Sequence, residues 1–121
     1  MGMDFNNTQP IWMQIVDGVF EQILTDKLQT GEKAKSVREL AVAYEVNPNT
    51  VMRSYDYLQN NGIFTNKRGI GFFVADNAKE KVLEIRRKRF LEEEVPLFIK
   101  TMKMLGIDFN ELSLSYYKPE V

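Results

Sequence analysis

The chain has 121 residues, of which 44% are hydrophobic and 12% aromatic, so it can bury a core and long disordered stretches are not expected. It contains no cysteine and no histidine, which excludes disulfide bonds and removes the commonest metal ligand and general base. We therefore expect no enzyme activity, no metal ion and no cofactor. The lack of cysteine indicates the reducing cytoplasm as the compartment.

The distribution of charge is more informative than its total. A net charge of −1 argues by itself against a nucleic-acid partner. Residues 9–76 carry seven Lys and Arg against eight Asp and Glu, but six of those seven cations are clustered: Lys33, Lys35, Arg38, Arg53, Lys67 and Arg68. This clustering predicts a domain with one basic face. No apolar run approaches the length of a membrane span, so no membrane partner is expected.

The first predicted element is an amphipathic helix that follows Pro10 and ends near Lys27. Its apolar residues recur at the three- and four-residue steps of a helix face: Trp12, Ile15, Val16, Val19, Ile23 and Leu24. Trp12 and the phenylalanines at positions 64, 72 and 73 are expected in the core.

Residues 36–57 predict two short helices joined by a tight turn. Ser36 and Glu39 form an S-x-x-E capping box at the start of the first helix. Asn47 followed by Pro48 is the start signal of the second, because Asn caps free N–H groups and Pro suits the first helical position. Two helices joined so closely form a helix-turn-helix, whose second helix offers its first turn to a DNA groove.

A glycine-bearing hairpin follows the second of these helices. Residues 63–66 and 72–75 read as two short strands, and Lys67, Arg68 and Gly69 form a basic tip between them. Three helices and a hairpin make a winged helix-turn-helix domain, which we assign to residues 9–76. The predicted fold class is therefore mainly α with a small β-hairpin wing.

Residues 77–121 predict a short, two-helix appendage. Its long helix is interrupted at Pro96, which should kink it, and Asp108 starts the last helix. Apolar residues at alternating steps of four and three predict a dimerisation seam: Leu91, Val95, Phe98, Met102 and Leu105. The alternative is that this seam packs on the chain's own domain. The appendage has little volume for a pocket, so an effector, if one exists, has room only between two protomers.

Five segments, in the right order, resemble the GntR family of bacterial transcription regulators: P-I-W-M-Q-I, L-Q-T-G-E-K, S-V-R-E-L-A, V-N-P-N-T-V-M-R-S-Y and K-R-G-I-G-F-F-V. The short tail and the V-N-P-N-T-V segment are similar to the YtrA-like subfamily, whose two-helix appendage serves dimerisation. The resemblance implies that Arg38 contacts a guanine, that Asn49 and Thr50 reach base or phosphate, and that the wing tip meets the minor groove. The implied DNA-binding set is Ser36, Arg38, Asn47, Asn49, Thr50, Arg53, Lys67, Arg68 and Gly69.

Other readings of these residues stay open. Ser36 and Asn47 could serve only as caps, and Arg53 could be a solvated helix residue. Lys67 and Arg68 could keep an exposed hairpin edge soluble. The chain also departs from the family pattern, since Ile70 stands where many wings carry a second basic residue.

Taken together, the sequence predicts a sequence-specific transcription regulator. We expect a cytoplasmic homodimer, acting as a repressor on a palindromic operator in double-stranded DNA. The alternative is a winged-helix adaptor that binds protein and has no specific affinity for DNA.

Overall fold

The computed structural model describes residues 9–117. Its elements are α1 (Ile11–Leu24), α2 (Val37–Tyr44), α3 (Pro48–Asn60), β1 (Phe64–Lys67), β2 (Gly71–Val74), α4 (Ala78–Arg89), a π-helical turn (Phe90–Glu94), α5 (Val95–Met104) and α6 (Phe109–Tyr116). The predicted fold class is confirmed. The chain divides into two compact units, Met1–Glu84 and Ile85–Val121, with the division inside α4.

Helix α1 buries the face that its apolar spacing predicts. Its buried residues are Gln14, Ile15, Val16, Val19, Phe20 and Ile23. The helix ends at Leu24 rather than near Lys27, because Asp26 has a φ of 62°, in the left-handed region that α-helices do not use.

Helices α2 and α3 form the predicted helix-turn-helix, and both predicted caps are confirmed. The Ser36 hydroxyl accepts a hydrogen bond from the Glu39 N–H, and the Glu39 carboxylate accepts one from the Ser36 N–H, both at 3.0 Å. The Asn47 side chain accepts from the Asn49 N–H at 2.8 Å. Between the helices, Glu45 adopts a left-handed φ of 55°, which turns the chain from α2 towards α3.

The wing contains more pairing than the sequence predicts. Strands β1 and β2 are antiparallel, with Phe64 opposite Val74, and each lies one residue away from its predicted position. Residues 31–34 pair with the other edge of β2. The Gly31 N–H donates to the Val74 carbonyl at 2.9 Å and the Ala34 N–H donates to the Phe72 carbonyl at 2.8 Å. The wing strands are therefore joined to the segment that leads into α2.

An aromatic cluster joins α3 to both wing strands. The Tyr55 ring packs edge-on against Phe64 and Phe72, at centroid distances of 5.1 and 5.0 Å. On the opposite side of α3, the buried Ser54 hydroxyl donates to the Trp12 carbonyl of α1 at 2.7 Å. The hairpin, α3 and α1 thus share one core. Phe64 is fully buried, as expected of a core residue, whereas Phe72, Phe73 and Trp12 are half-buried at the edge of this core.

In the second unit, the interruption expected at Pro96 takes the form of the π-helical turn just before it. The Val95 N–H donates to the Phe90 carbonyl, five residues back. Pro96 has no N–H, and its ring would clash with the carbonyl four residues earlier in a regular helix. A widened turn accommodates both effects. Helix α6 starts as predicted, with the Asp108 carboxylate accepting from the Glu111 N–H at 2.7 Å.

The seam predicted along this unit is not continuous. The π-helical turn contains Leu91 and precedes Phe98, and its additional residue rotates the following side chains by about 100° relative to an unbroken α-helix. Met102 is also buried within its own chain, at 8% exposure, whereas Leu91, Phe98 and Leu105 are more than half exposed and Val95 is half-buried. The five predicted seam residues therefore do not form one uniformly exposed stripe. The role of the seam in dimerisation stays a prediction.

Candidate nucleic-acid interface

The start of α2 presents Arg38 to solvent. Arg38 is the second residue of the helix and is exposed, and the capping box holds the turn that carries it. The hydrogen bonds from Ser36 lower the pKa of the Glu39 carboxyl, and the charges of Lys33 and Lys35 lower it further. Burial acts in the opposite direction and has a larger effect on this pKa than the charge of either lysine. Two lysines therefore lie close enough to the first turn of α2 to act on it electrostatically.

The start of α3 presents polar groups of a different kind. Asn47 and Asn49 are exposed and Thr50 is half-buried. Asn47 acts as the cap, so its side-chain oxygen is committed to the Asn49 N–H. One turn further along α3, the Arg53 guanidinium carbon lies 4.6 Å from the centroid of the Trp12 ring. This cation–π contact fixes Arg53 against α1 while leaving the side chain exposed.

The wing tip is a tight turn with exposed side chains. The Ile70 N–H donates to the Lys67 carbonyl at 2.9 Å, and Gly69 has a φ of 78°, as a type II turn requires at its third position. The space beside Gly69 is open. The Lys67 ammonium lies 4.3 Å from the Phe73 ring centroid, so the strand below it orients this cation. Arg68 and Ile70 are exposed at the tip.

Two contacts tie the helix starts and the wing together. The Tyr55 hydroxyl of α3 donates to the Lys35 carbonyl at 2.6 Å, immediately before the Ser36 cap of α2. Burial raises the pKa of Tyr55, so this hydroxyl stays protonated and able to donate. Lys33, two residues earlier, bridges to Phe73 of β2. The three parts that carry the predicted DNA-binding residues are thereby joined inside one compact unit.

Lys33 and Lys35 belong to the basic face that the sequence predicts, but they are absent from the predicted DNA-binding set. Lys33 lies over the wing, since a Cβ at Gly71 would lie 3.0 Å from its Cε. Gly71 pairs with Lys67, so Lys33 and Lys67 lie at the same end of β2. The available sequence signal was the alternation of charged and apolar residues in Lys33, Ala34 and Lys35, of which the structure buries Ala34 and exposes both lysines. It was weak because Glu, Lys and Ala are depleted in strands.

The chemistry of this surface is that of hydrogen-bond donation and positive charge. It offers guanidinium, ammonium and amide groups at two helix starts and one turn. Among residues 9–117, no cluster of three or more Asp and Glu could hold a metal ion. Such a surface suits a polyanion whose groove admits a helix.

Residues 13–74, from α1 to the end of β2, match the model of the bacterial regulatory proteins of the gntR family. This chain belongs to the GntR family. GntR proteins are transcription regulators that bind DNA, so the expectation that the chain is not an enzyme is confirmed. Within the part of the chain that the structure describes, no helix is both long enough and apolar enough to cross a membrane.

Relatives from Bacillus subtilis (strain 168) extend the GntR similarity through the tail. The HTH-type transcriptional regulator YhcF is 35% identical, over 93% of this chain and 91% of its own. The HTH-type transcriptional repressor YtrA is 32% identical, over 91% of this chain and 84% of its own. The resemblance to the YtrA-like subfamily is confirmed.

Solved structures show the same relationship. A GntR family transcriptional regulator from Listeria monocytogenes is 32% identical and has a TM-score of 0.74, covering 96% of this chain and 100% of its own. Streptococcal BusR (S. agalactiae), solved in complex with its busA-promotor DNA, is 25% identical with a TM-score of 0.59. That match covers 74% of this chain and 45% of BusR.

Proposed function

We propose that this GntR protein is a homodimeric, sequence-specific repressor that binds an operator with two-fold symmetry. The single observation that carries the proposal is the joining of two polar helix starts and a cationic wing within one unit. Tyr55 links α3 to the start of α2, and residues 31–34 link the start of α2 to the wing. A surface held in this way can meet a duplex without first being ordered, which lowers the entropic cost of binding.

Base recognition is assigned to the first turns of α2 and α3. Arg38 would donate two hydrogen bonds to a guanine, the commonest specific contact in the major groove. Asn49 and Thr50 would reach base edges or phosphates from the first turn of α3, where a recognition helix makes its base contacts.

Backbone contacts are assigned to the remaining residues of the predicted set. Ser36 and Asn47 cap helices whose positive ends favour phosphate. Arg53, held on Trp12, is placed to neutralise another phosphate. At the wing, Lys67 and Arg68 would contact the minor groove or its flanking phosphates, with Gly69 permitting the close approach.

The dimer is assigned to the second unit, Ile85–Val121. Among its described residues, Met102 is the only side chain that the chain itself buries. Large apolar side chains stay about half exposed or more: Phe90, Leu91, Leu97, Phe98, Leu105, Phe109 and Leu114. So much apolar surface on so short a unit is stabilised best by a partner, because each buried Leu or Phe contributes about 1.5–3 kcal/mol. A second copy supplies the same surface and the two-fold symmetry that a palindrome needs.

The repressor assignment rests on similarity to YtrA, which is named as a transcriptional repressor. We assign the protein to the cytoplasm, because its proposed partner is DNA and because a chain without cysteine suits a reducing compartment. We assign DNA binding to residues 9–76, as the sequence predicts, and within the predicted appendage, residues 77–121, we assign dimerisation to the second unit, Ile85–Val121.

Footprinting of the purified protein on the region upstream of its own reading frame tests the proposal. We expect two protected half-sites on one face of the duplex, about 34–36 Å apart or a multiple of that spacing. A salt titration should give a steep fall of log affinity with log salt, because each neutralised phosphate releases counterions. A folded, dimeric protein that ignores this DNA at low salt, or binds with no salt dependence, would instead support the adaptor alternative.

A further inference from the structure

The wing has an outer face that the core does not use. Strand β2 is paired on both edges, with β1 on one side and with residues 31–34 on the other. Phe72 and Val74 point towards the core, since Phe72 packs in the aromatic cluster and Val74 is 3% exposed. Successive side chains of a strand alternate between its two faces. Gly71 and Phe73 therefore belong to the opposite, outer face of the wing.

Two lysines lie on this outer face, one on each side of β2. Lys33 forms an antiparallel bridge with Phe73, and Lys67 of β1 pairs with Gly71. Residues directly opposite each other in an antiparallel pair have their side chains on the same face. Both lysines are exposed and Phe73 is half-buried. The outer face thus carries two cations beside one aromatic ring.

The side chains of the two lysines extend over β2 from opposite edges. The Lys67 ammonium lies 4.3 Å from the centroid of the Phe73 ring, which is the residue that Lys33 pairs with. Lys33 extends over Gly71, the residue that Lys67 pairs with, because a Cβ at Gly71 would lie 3.0 Å from the Lys33 Cε and 3.8 Å from its Nζ. The two ammonium groups therefore lie above positions of one strand that are about 7 Å apart.

These two ammonium groups are not neutralised by a carboxylate of the described residues. Among residues 9–117, neither Lys33 nor Lys67 takes part in an ion pair. The Glu32 carboxylate instead accepts a hydrogen bond from the backbone N–H three residues earlier, at 2.7 Å. The hydrogen bonds from Ser36 and, more weakly, the charge of Lys33 lower the pKa of Glu39, but Lys33 forms no ion pair with it. Two cations held over one strand without a counterion favour an anionic ligand.

We propose that the outer face of the wing binds the phosphate backbone of DNA through Lys33 and Lys67, and that Phe73 positions Lys67 for this contact. DNA is favoured over an acidic protein because the face is continuous with the assigned DNA surface. Lys33 lies three residues before the Ser36 cap, and Lys67 begins the turn that carries Arg68. The inference rests on the DNA contacts assigned to the wing in the proposed function, and not on the operator, the dimer or repression.

Affinity and salt dependence test the Lys33 contact on the full-length protein. The probes are the upstream region and a duplex of equal length and unrelated sequence. Lys33→Gln should weaken binding to both about equally, by about three- to tenfold at about 0.1 M salt, and should lower the slope of log affinity against log salt by about 0.9. Lys33→Arg keeps the charge and should bind as wild type does. Unchanged affinity and slope for Lys33→Gln would overturn the contact.

A matched control separates a direct contact from a general effect of charge. Lys27→Gln removes an exposed cation from the same unit, outside the wing, and should change neither quantity by more than a third of the Lys33→Gln effect. Methylphosphonate groups, placed one at a time along the operator backbone, then locate the contact. At the phosphates that Lys33 meets, this neutral group should weaken wild type by about fivefold and Lys33→Gln hardly at all. Identical losses in both proteins at every position would contradict a direct contact.

Phe73 is tested as a positioning residue. Phe73→Leu should weaken binding by about two- to fivefold and should have no further effect in a Lys67→Gln background, because both residues act through one contact. Phe73→Tyr keeps the ring and should bind as wild type does. If Phe73→Leu does not fold, as judged by circular dichroism, the side-chain protons of Lys67 decide by NMR. Their resonances should be shifted upfield by the ring, and unshifted resonances would contradict this role.

The outcomes distinguish this inference from the rest of the proposed function. Weaker binding of Lys33→Gln to both duplexes, with no protected half-sites in wild type, would support the outer face and count against a specific operator. Specific operator binding that is unchanged in Lys33→Gln and Lys67→Gln would overturn the outer face and leave the proposed function standing. Failure to bind either duplex, or tighter binding of a polyglutamate peptide than of a duplex of equal charge, would overturn the outer face as a DNA site.

Discussion

The guanidinium carbon of Arg53 lies 4.6 Å from the centroid of the Trp12 ring, so that an aromatic side chain of α1 holds a cation of α3. Trp12 is itself braced by Tyr57, at a centroid distance of 5.7 Å. A side chain restrained before binding loses less conformational entropy when it meets a phosphate. We therefore propose that Trp12 positions Arg53 for the phosphate contact assigned to it.

Trp12→Leu should weaken operator binding by roughly two- to fivefold, which corresponds to the loss of one exposed cation–π contact. Trp12→Phe keeps a ring in place and should lose less. In an Arg53→Ala background, Trp12→Leu should have little additional effect, because the two residues act through one contact. Fluorescence anisotropy on operator DNA measures wild type and the four variants, and strictly additive losses would show that Trp12 does not position Arg53.

Arg38→Ala should cost about 1–3 kcal/mol on operator DNA and relax the preference for one base pair in each half-site. The matched control is Arg87→Ala, which removes an exposed cation of α4 outside the assigned surface. Affinities for the operator and for single base-pair variants measure both effects. An unchanged preference at every base pair would assign Arg38 to the phosphate backbone or to solvent.

Ile70→Arg should tighten binding by adding a cation to the wing tip, where Ile70 is 60% exposed. The slope of log affinity against log salt should steepen by about 0.9 for each added phosphate contact. Ile70→Gln has a polar side chain without the charge and should leave the slope unchanged. An equal slope for the arginine variant would mean that the wing tip does not approach the DNA.

The capping box at the start of α2 should contribute to stability in a pH-dependent way. Because Glu39 has a lowered pKa in the folded protein, the folded state binds fewer protons than the unfolded chain near pH 4.5. This contribution is present above that pH and is lost as the pH falls through the folded-state value. Urea unfolding should therefore show that the stability difference between wild type and Glu39→Gln shrinks on acidification. A difference that is constant with pH would contradict this linkage.

Ser36→Ala tests the other half of the same box. It should cost about 0.5–2 kcal/mol at neutral pH, the usual loss for a helix cap. Ser36→Thr keeps the hydroxyl and should cost less. Urea unfolding measures both, and a neutral effect of the alanine variant would show that the box does not stabilise α2.

Leu91→Asp combined with Phe98→Asp should convert the proposed dimer to monomers, as measured by sedimentation. Both side chains are more than half exposed on a single chain, so the charges should not disturb its own core. Thr101→Asp adds a charge at an exposed polar position of α5 and is the control. A dimer that survives the double substitution would place the interface elsewhere.

Local signals predicted much of this molecule. The caps at Ser36, Asn47 and Asp108 were readable because a helix start needs a side-chain acceptor within three residues. The basic turn at Gly69 was readable because few other residues adopt a positive φ.

Contacts between distant segments were not predictable in the same way. The pairing of residues 31–34 with β2 joins segments about 40 residues apart and lacks a β-branched pattern. The stacking of Arg53 on Trp12 likewise depends on how α3 crosses α1, which spacing within one helix cannot show. The wider hydrogen-bonding pattern at Phe90–Glu94 depends on how the chain adapts to Pro96. Helical periodicity could not show it, because that pattern assumes that every N–H bonds the carbonyl four residues back.

That wide turn lets the tail carry one more residue without changing which side of α5 a neighbour meets. Five residues at the wider winding cover roughly the same rotation about the helix axis as four residues of a regular helix. Excising a single residue between Phe90 and Glu94 would therefore restore ordinary helical winding and leave the side chains of α5 in nearly the same orientation relative to residues 85–89. Closing the turn with all its residues in place would instead swing every side chain of α5 by about 100°. For this segment, the winding of the chain decides which side a neighbour meets as firmly as the identity of its residues.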